Sequence, residues 1–283
     1  AVAFTTGGTT GNVVIDNGTT GLDLAASTIS GTLTATGGAS AGIVDSGNVA
    51  VAGNVTLTTD AGNGVINMGT LQQSAGDLIL VTNGTGAATV VNNAGIDFGT
   101  SNVGGALSAT ASAGNITQNG GAITVAGTSS FILGANSANV VLDHASNAFS
   151  GAVTLLAGAG GSQAFGNVTF VDDSAVKIDA NADAAGDLYL NAGTDGAVGG
   201  NLAVTATTGN ITQGVAVAVT GTSAFTTSAS DATITLGTTT NALGGTVAFT
   251  MAGTAGNVVI DNGTTGLDLA ASTINGTLTA TGG

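Results

Sequence analysis

Apolar and polar residues alternate along most of this chain, in short runs that a glycine introduces. After Gly31 the order is Thr-Leu-Thr-Ala-Thr; after Gly53 it is Asn-Val-Thr-Leu-Thr; after Gly245 it is Thr-Val-Ala-Phe-Thr. The pairs Leu33/Ala35, Val55/Leu57, Leu78/Leu80, Val153/Leu155, Leu188/Leu190, Leu202/Val204 and Val247/Phe249 each fall on one side of an extended chain. Thr, Ser, Asn and Asp dominate the other side. A period of two is the signature of a strand with one buried face. The introducing glycines are Gly31, Gly53, Gly76, Gly105, Gly127, Gly151, Gly186, Gly200, Gly221 and Gly245. Most stand roughly one 20–24-residue unit apart, the scale of a short solenoid repeat. The steps from Gly76 to Gly105 and from Gly151 to Gly186 are longer, and that from Gly186 to Gly200 is shorter.

Longer repeats lie over this short one. The stretch from Gly11 to Gly38 returns from Gly256 to Gly283, a period of 245 residues, with Ser30 replaced by Asn275 as the single change. In the first copy Val13/Ile15, Leu22/Leu24 and Leu33/Ala35 are expected to face the core, as are Val258/Ile260, Leu267/Leu269 and Leu278/Ala280 in the second. A second period, near 95 residues, relates the segment from Val103 to that from Val198. Under it Phe131, Leu142, Asn147 and Gly151 correspond to Phe225, Leu236, Asn241 and Gly245. A diverged relative of the opening stretch runs from Gly166 to Gly193.

A unit of about 20 residues cannot bury a core alone, and stacking lets each unit cover the next. The pattern therefore predicts an all-β parallel solenoid with coils of roughly 20–24 residues, each rising by about one strand spacing, 4.8 Å. The pairs Asn17–Gly18, Asn83–Gly84, Asn119–Gly120 and Asn262–Gly263 are expected at coil corners, where positive φ is needed. Hairpins also favour Asn-Gly, but the repeat length suits one full turn of several short strands. The chain reads as one continuous solenoid over 1–283, with 1–245 a long repeat and 246–283 the start of another.

Composition agrees with strands and turns. There are 49 Gly, no Pro, no Cys and no Trp, and hydrophobic residues make up 43%. Lys177 is the only Lys, His144 the only His, Arg is absent, and all 16 acidic residues are Asp, giving a formal charge of −15. That balance argues against nucleic acid and against anionic membrane surfaces. No apolar run approaches the ~20 residues of a spanning helix. Without cysteine there is no disulfide scaffold, which suits export in an unfolded state. The absence of an initiator Met and a signal peptide reads as a mature or excised segment.

Candidate chemistry is sparse. Gly38-Ala39-Ser40-Ala41-Gly42 has the spacing of a nucleophile elbow, but no helix is predicted after it and the only His is about 100 residues away. Asp143–His144 reads as a polar pair at a coil edge, replaced by Gly237–Thr238 in the repeat partner. Lys177 stands between inward Val176 and Ile178, so it points outward, and Asp173, Asp179 and Asp183 are close to it in sequence, as for a solvated charge pair. Asp172, Asp173, Asp179, Asp183, Asp187 and Asp195 form the densest acidic stretch. Asp172, Asp173 and Asp179 are the candidate metal ligands there, and Ca²⁺ is the ion their oxygens would suit, although they lack loop-ligand spacing. The Thr-x-Thr rows (Thr32/Thr34/Thr36, Thr205/Thr207, Thr233/Thr235) face outward, at uneven intervals. No phosphate loop, zinc motif or dinucleotide fingerprint is present. The expectation is a protein with no catalytic residues and no cofactor.

The stretches "GNITQNGGAITVAGTSSF", "NVVLDHASNAFSGAVTL" and "GNVVIDNGTTGLDLAASTISGTLTATGG" resemble the repeats of filamentous-haemagglutinin-like large bacterial surface proteins. The resemblance covers nearly the whole chain and is one of repeat style. It implies a right-handed parallel β-helix, secretion across a Gram-negative outer membrane, and a role in adhesion, biofilm matrix or surface fibres. The expected function is a structural, non-catalytic extracellular fibre or stalk. Its partners would be further copies, in tandem or assembled end to end or laterally, and host or surface glycans. A carbohydrate-binding or carbohydrate-active β-helix and an ice-binding solenoid are the alternatives.

Overall fold

The computed structural model describes residues 1–158, 163–192 and 194–283. They are all-β, with short parallel strands stacked as the coils of a β-solenoid. The chain divides into two compact units, Ala1–Gly134 and Ala135–Gly283.

In the first unit two stacks carry the coils. One contains Val13–Asp16, Leu33–Gly37, Val55–Thr59, Leu78–Val81, Ile96–Phe98 and Ile116–Gln118. The other contains Leu22–Leu24, Ile43–Asp45, Ile66–Gln73, Ala88–Asn92, Leu107–Ala111 and Ser129–Leu133. Neighbours are parallel and in register: Val13 lies opposite Leu33, Leu33 opposite Val55, and Val55 opposite Leu78. Short strands such as Ser27–Ile29 and Val49–Val51 pair on a further side. The predicted coil length holds here, because partners in register stand about one glycine-to-glycine interval apart.

The alternation explains the core. Leu33, Ala35, Val55, Leu57, Leu78 and Leu80 are all fully buried, and each packs on the equivalent residue one coil away. The Phe98 and Phe131 rings meet edge to face at 5.9 Å, a favoured aromatic geometry. The glycines of the four Asn-Gly pairs named above adopt positive φ, Gly18 at 60°, Gly84 at 56°, Gly120 at 79° and Gly263 at 58°, whereas those of Asn63–Gly64 and Asn275–Gly276 do not.

The second unit repeats the design, with one break in it. Val168–Asp172, Leu202–Ala206, Ser223–Ser230, Thr246–Ala252 and Asp268–Leu269 form one stack. In the other, Asp187–Ala192 lies between Val153–Ala157 and Val176–Asp179, out of sequence order. Its counterpart in the 256–283 segment behaves differently. There Leu278–Thr281 pairs directly with Val258–Asp261, in the register by which Leu33 pairs with Val13. Because Asp187–Ala192 is added beside Val176–Asp179, Val168 pairs with Leu202. That coil exceeds the length expected from the glycine spacing. Gly193, the last residue of the predicted relative of the opening stretch, lies outside the described residues.

The 256–283 segment keeps the expected inward register, with Leu269, Leu278 and Ala280 opposite buried Val247, Val258 and Ile260, but these residues are less covered than their equivalents in the first copy. The repeat predicts core positions for Leu269 and Leu278, by analogy with Leu24 and Leu33. They are 40% and 41% exposed, whereas Leu24 and Leu33 are 0% exposed. Leu267 is only half-buried and Ala280 is exposed. Leu24 and Leu33 are covered by Ile43–Asp45 and Val55–Thr59. Burial is thus supplied by the following coil, as nearest-neighbour stacking requires.

Candidate functional site

Where strands end, buried polar side chains fasten one coil to the next. Asn92 is 1% exposed. Its Oδ1 accepts the Gln73 N–H at 2.8 Å, while Nδ2 donates to the Gln73 carbonyl at 3.0 Å and to the Gly95 carbonyl at 2.7 Å. Asn262 does the same in the second unit. It accepts from Leu243 N–H at 2.8 Å and donates to the Leu243 and Gly266 carbonyls at 3.2 and 3.0 Å. An amide carries both a donor and an acceptor, so it replaces a missing piece of backbone ladder. Thr59 and Thr82 do this with one hydroxyl each. Each donates to a carbonyl of its own turn and accepts an N–H from the next coil. Sequence reasoning places Asn262 at a corner, does not single out Asn92, Thr59 or Thr82, and misses the burial of all four. The usable signal is a polar residue closing a strand shortly before a Gly.

Replacing Asn92 by Ala is expected to cost about 1–3 kcal/mol, because it strands buried backbone groups on Gln73 and Gly95. Hydrogen exchange at the Gln73 amide should report the loss. Asn93→Ala, at an exposed neighbour, should stay within about 0.5 kcal/mol.

Asp172 occupies the equivalent place in the irregular coil and is 2% exposed. Its Oδ1 accepts the N–H groups of Phe149 and Asp173, both at 2.9 Å. Its Oδ2 accepts the Ser174 hydroxyl at 2.6 Å. Burial raises its carboxyl above the ordinary Asp value, and the three hydrogen bonds offset only part of that.

Lys177 projects outward from Val176–Asp179, as expected, between buried Val176 and Ile178. Its ammonium is bonded to Asp179 Oδ2 and lies 3.9 Å from Asp187 Oδ1 on the added strand. Lys177 and Asp187 are register partners. The bond to Asp179 raises the lysine and lowers the carboxyl, each partner favouring the other's charged form. Asp187 Oδ2 also accepts the Ala184 N–H at 2.8 Å, and Asp183 accepts from the Asn181 side chain at 2.9 Å.

The metal candidates are therefore not drawn together. Asp172 spends its oxygens on Phe149, Asp173 and Ser174, Asp179 is paired with Lys177, and Asp173 is exposed. Among the described residues no group of three or more His or Asp side chains is placed to hold a metal. The donor set does not fit Ca²⁺, which takes six to eight oxygens. The Asp195 side chain lies outside the described residues.

The remaining candidates are turns or outer faces. Ser40 sits in a turn where Ala39 and Gly42 have φ of 58° and 57°, with a strand on either side. His144 lies in the other unit, and its Nδ1 accepts the Ser146 N–H at 3.1 Å within a local turn. Thr34 and Thr36 stack on Thr56 and Thr58, but the next coil offers Ile79 and Val81 in the same columns. The Thr array there is two coils deep.

These features define the class: a repeat protein whose polar side chains act as fasteners between coils. The chain belongs to the family described as repeats of unknown function (DUF5649), whose model matches residues 10–81, 85–156 and 165–250. One long period thus holds three family repeats, and Gly256–Gly283 restates the opening of the first. The third match is the longest and contains the added strand. No curated protein and no solved structure gives a significant match.

Proposed function

We propose that this chain is a segment of a long fibre or stalk on a bacterial surface, acting mechanically and without catalysis. The observation that carries this reading is the recurrence of a whole coil. The segments that begin at Gly11 and Gly256 differ at one position. They build the same parallel pairing, Val13 on Leu33 and Val258 on Leu278, in two separate units. A coil that can be copied intact adds length and a repeated surface, which is what a fibre requires. Tandem copies within one chain and copies assembled end to end both use this property. The filamentous-haemagglutinin-like repeat style supports the extracellular placement, with adhesion or matrix formation as its use.

Antibodies against the purified chain should label filaments on intact cells that make it. Cells lacking it should lose the label and attach less. Labelling only after permeabilisation would sink the reading. Release of oligosaccharides from polysaccharides, or shaping of ice crystals by the purified protein, would instead favour a carbohydrate-active or an ice-binding solenoid.

A further inference from the structure

Six asparagines in this chain precede a glycine: Asn17, Asn63, Asn83, Asn119, Asn262 and Asn275. Such a pair can react with itself, because glycine has no side chain to shield its backbone nitrogen from the neighbouring carboxamide. Two conditions govern the reaction. The glycine N–H must be free to give up its proton, and the asparagine side chain must be free to bring Cγ over that nitrogen. A hydrogen bond to either group has to be broken first, at a cost in free energy.

Five of the six pairs fail at least one condition. Gly18 N–H donates to Asp16 Oδ1 and Gly263 N–H to Asp261 Oδ1, both at 2.8 Å. Gly64 N–H donates to the Ala61 carbonyl at 3.0 Å. Their asparagines are held as well. Asn17 Nδ2 donates to Thr20 Oγ1 and to the Gly21 carbonyl, Asn63 Oδ1 accepts the Thr85 N–H at 3.0 Å, and Asn262 is the buried fastener. Asn83 Oδ1 accepts the Asn63 N–H at 3.4 Å, and Gly84 packs against the Asn63 carboxamide. Asn275 Nδ2 donates to the Met251 carbonyl at 3.0 Å, and Gly276 packs against Asn257.

Asn119–Gly120 meets both conditions. Asn119 is exposed, and among the described residues neither its carboxamide nor the Gly120 N–H has a hydrogen-bond partner. Gly120 has a φ of 79°, and a Cβ there would meet nothing within 4 Å. The turn is anchored on either side of the pair. Asn119 N–H donates to the Phe98 carbonyl at 2.8 Å, and Gln118 Nε2 donates to the Gly121 carbonyl. The two reacting groups lie between these anchors, in open solvent.

We propose that Asn119 is a self-modification site, converting to aspartate and isoaspartate through a cyclic imide with Gly120. The Gly120 nitrogen, its proton taken by water or hydroxide, attacks Asn119 Cγ. A bond from that nitrogen to Cγ forms, the Cγ–Nδ2 bond breaks, and ammonia leaves with a proton returned from solvent. Water then opens the imide. Cleavage between the Gly120 nitrogen and Cγ gives aspartate. Cleavage between that nitrogen and the Asn119 backbone carbonyl carbon gives isoaspartate. Water is the only co-reactant, and nothing is oxidised or reduced. Either product adds a negative charge. Isoaspartate also lengthens the main chain by one carbon, at the corner that joins Ile116–Gln118 to Ile123–Val125.

The test uses the full chain and needs no variant. The protein is incubated at neutral pH, folded in one arm and held unfolded in urea in the other. Mass spectrometry of its peptides follows each amide, with electron-based fragmentation to separate aspartate from isoaspartate. In the folded chain Asn119 should lose its amide severalfold faster than each of the other five. In urea that lead should collapse, because all six pairs then share the same freedom. Asn119→Gln, which would need a larger ring, should suppress most of the ammonia released by the folded chain. A folded chain in which any of the other five keeps pace with Asn119 overturns the proposal. So does an undiminished lead for Asn119 in urea, or a folded chain that keeps all six amides while the unfolded chain loses them.

Discussion

Phe225→Ala should destabilise the second unit by about 3–5 kcal/mol, the cost of emptying a fully buried aromatic site. Phe225 is 0% exposed and pairs in register with Val204 on one side and Phe249 on the other. The Phe225 and Phe249 rings stack 6.0 Å apart with planes 23° from parallel. A cavity there deprives both neighbours of contact, and the alternating strand has no other large side chain to fill it. Because each coil is stabilised by the next, the loss should be graded along the stack. Native-state hydrogen exchange should show it first in Leu202–Ala206 and Thr246–Ala252. Thr226→Ala, one residue along and on the outer face, should stay within about 0.5 kcal/mol. Equal effects at the two positions would deny the inward and outward alternation.

Gly104→Ala should cost about 2–3 kcal/mol for one added methyl, towards the upper end for overpacking. A Cβ at Gly104 would fall well inside contact distance of the Gly84 carbonyl oxygen, which is backbone and cannot rotate away. The approach is held from both sides. Gly104 N–H donates to Thr82 Oγ1 at 2.9 Å, and Gly105 N–H donates to the Gly86 carbonyl at 2.8 Å. Gly7→Ala provides the contrast, since a methyl there meets nothing within 4 Å. Chemical denaturation of both variants separates the cost of crowded corners from the general effect of replacing glycine.

Much of this architecture was legible in the sequence because period-two alternation and glycine spacing are local. The inward pairs Leu33/Ala35, Leu188/Leu190 and Val247/Phe249 are buried as expected. The long interval before Gly186 and the short one after it mark the place where Asp187–Ala192 enters out of order. What they could not show is which strand it joins. Leu188 and Leu190 point inward whether that strand pairs with Val168–Asp172 or with Val176–Asp179, so the alternation is blind to the choice. The choice depends on the short link from Asp179 to Asp187 and on Lys177 lying opposite Asp187.

The polar fasteners were hidden for a related reason. Asn, Thr and Asp near Gly favour turns through their own short-range hydrogen bonds. The same residue types bury themselves here by bonding a coil 19 to 24 residues away. Of the acidic stretch read as a candidate Ca²⁺ site, Asp172 fastens a coil, and Asp179 and Asp187 hold the added strand through Lys177.

Disulfide trapping between outward positions tests the parallel stacking of successive coils most directly, because the chain has no native cysteine. Thr34 and Thr56 are register partners on adjacent strands, while Ile79 lies one strand further along the same column. Adjacent strands are about 4.8 Å apart, within the Cα separation of about 4.4–6.8 Å that a disulfide accepts. Thr34→Cys with Thr56→Cys should oxidise to an intramolecular link, and Thr34→Cys with Ile79→Cys should remain reduced. A link in the second pair and none in the first would contradict the solenoid.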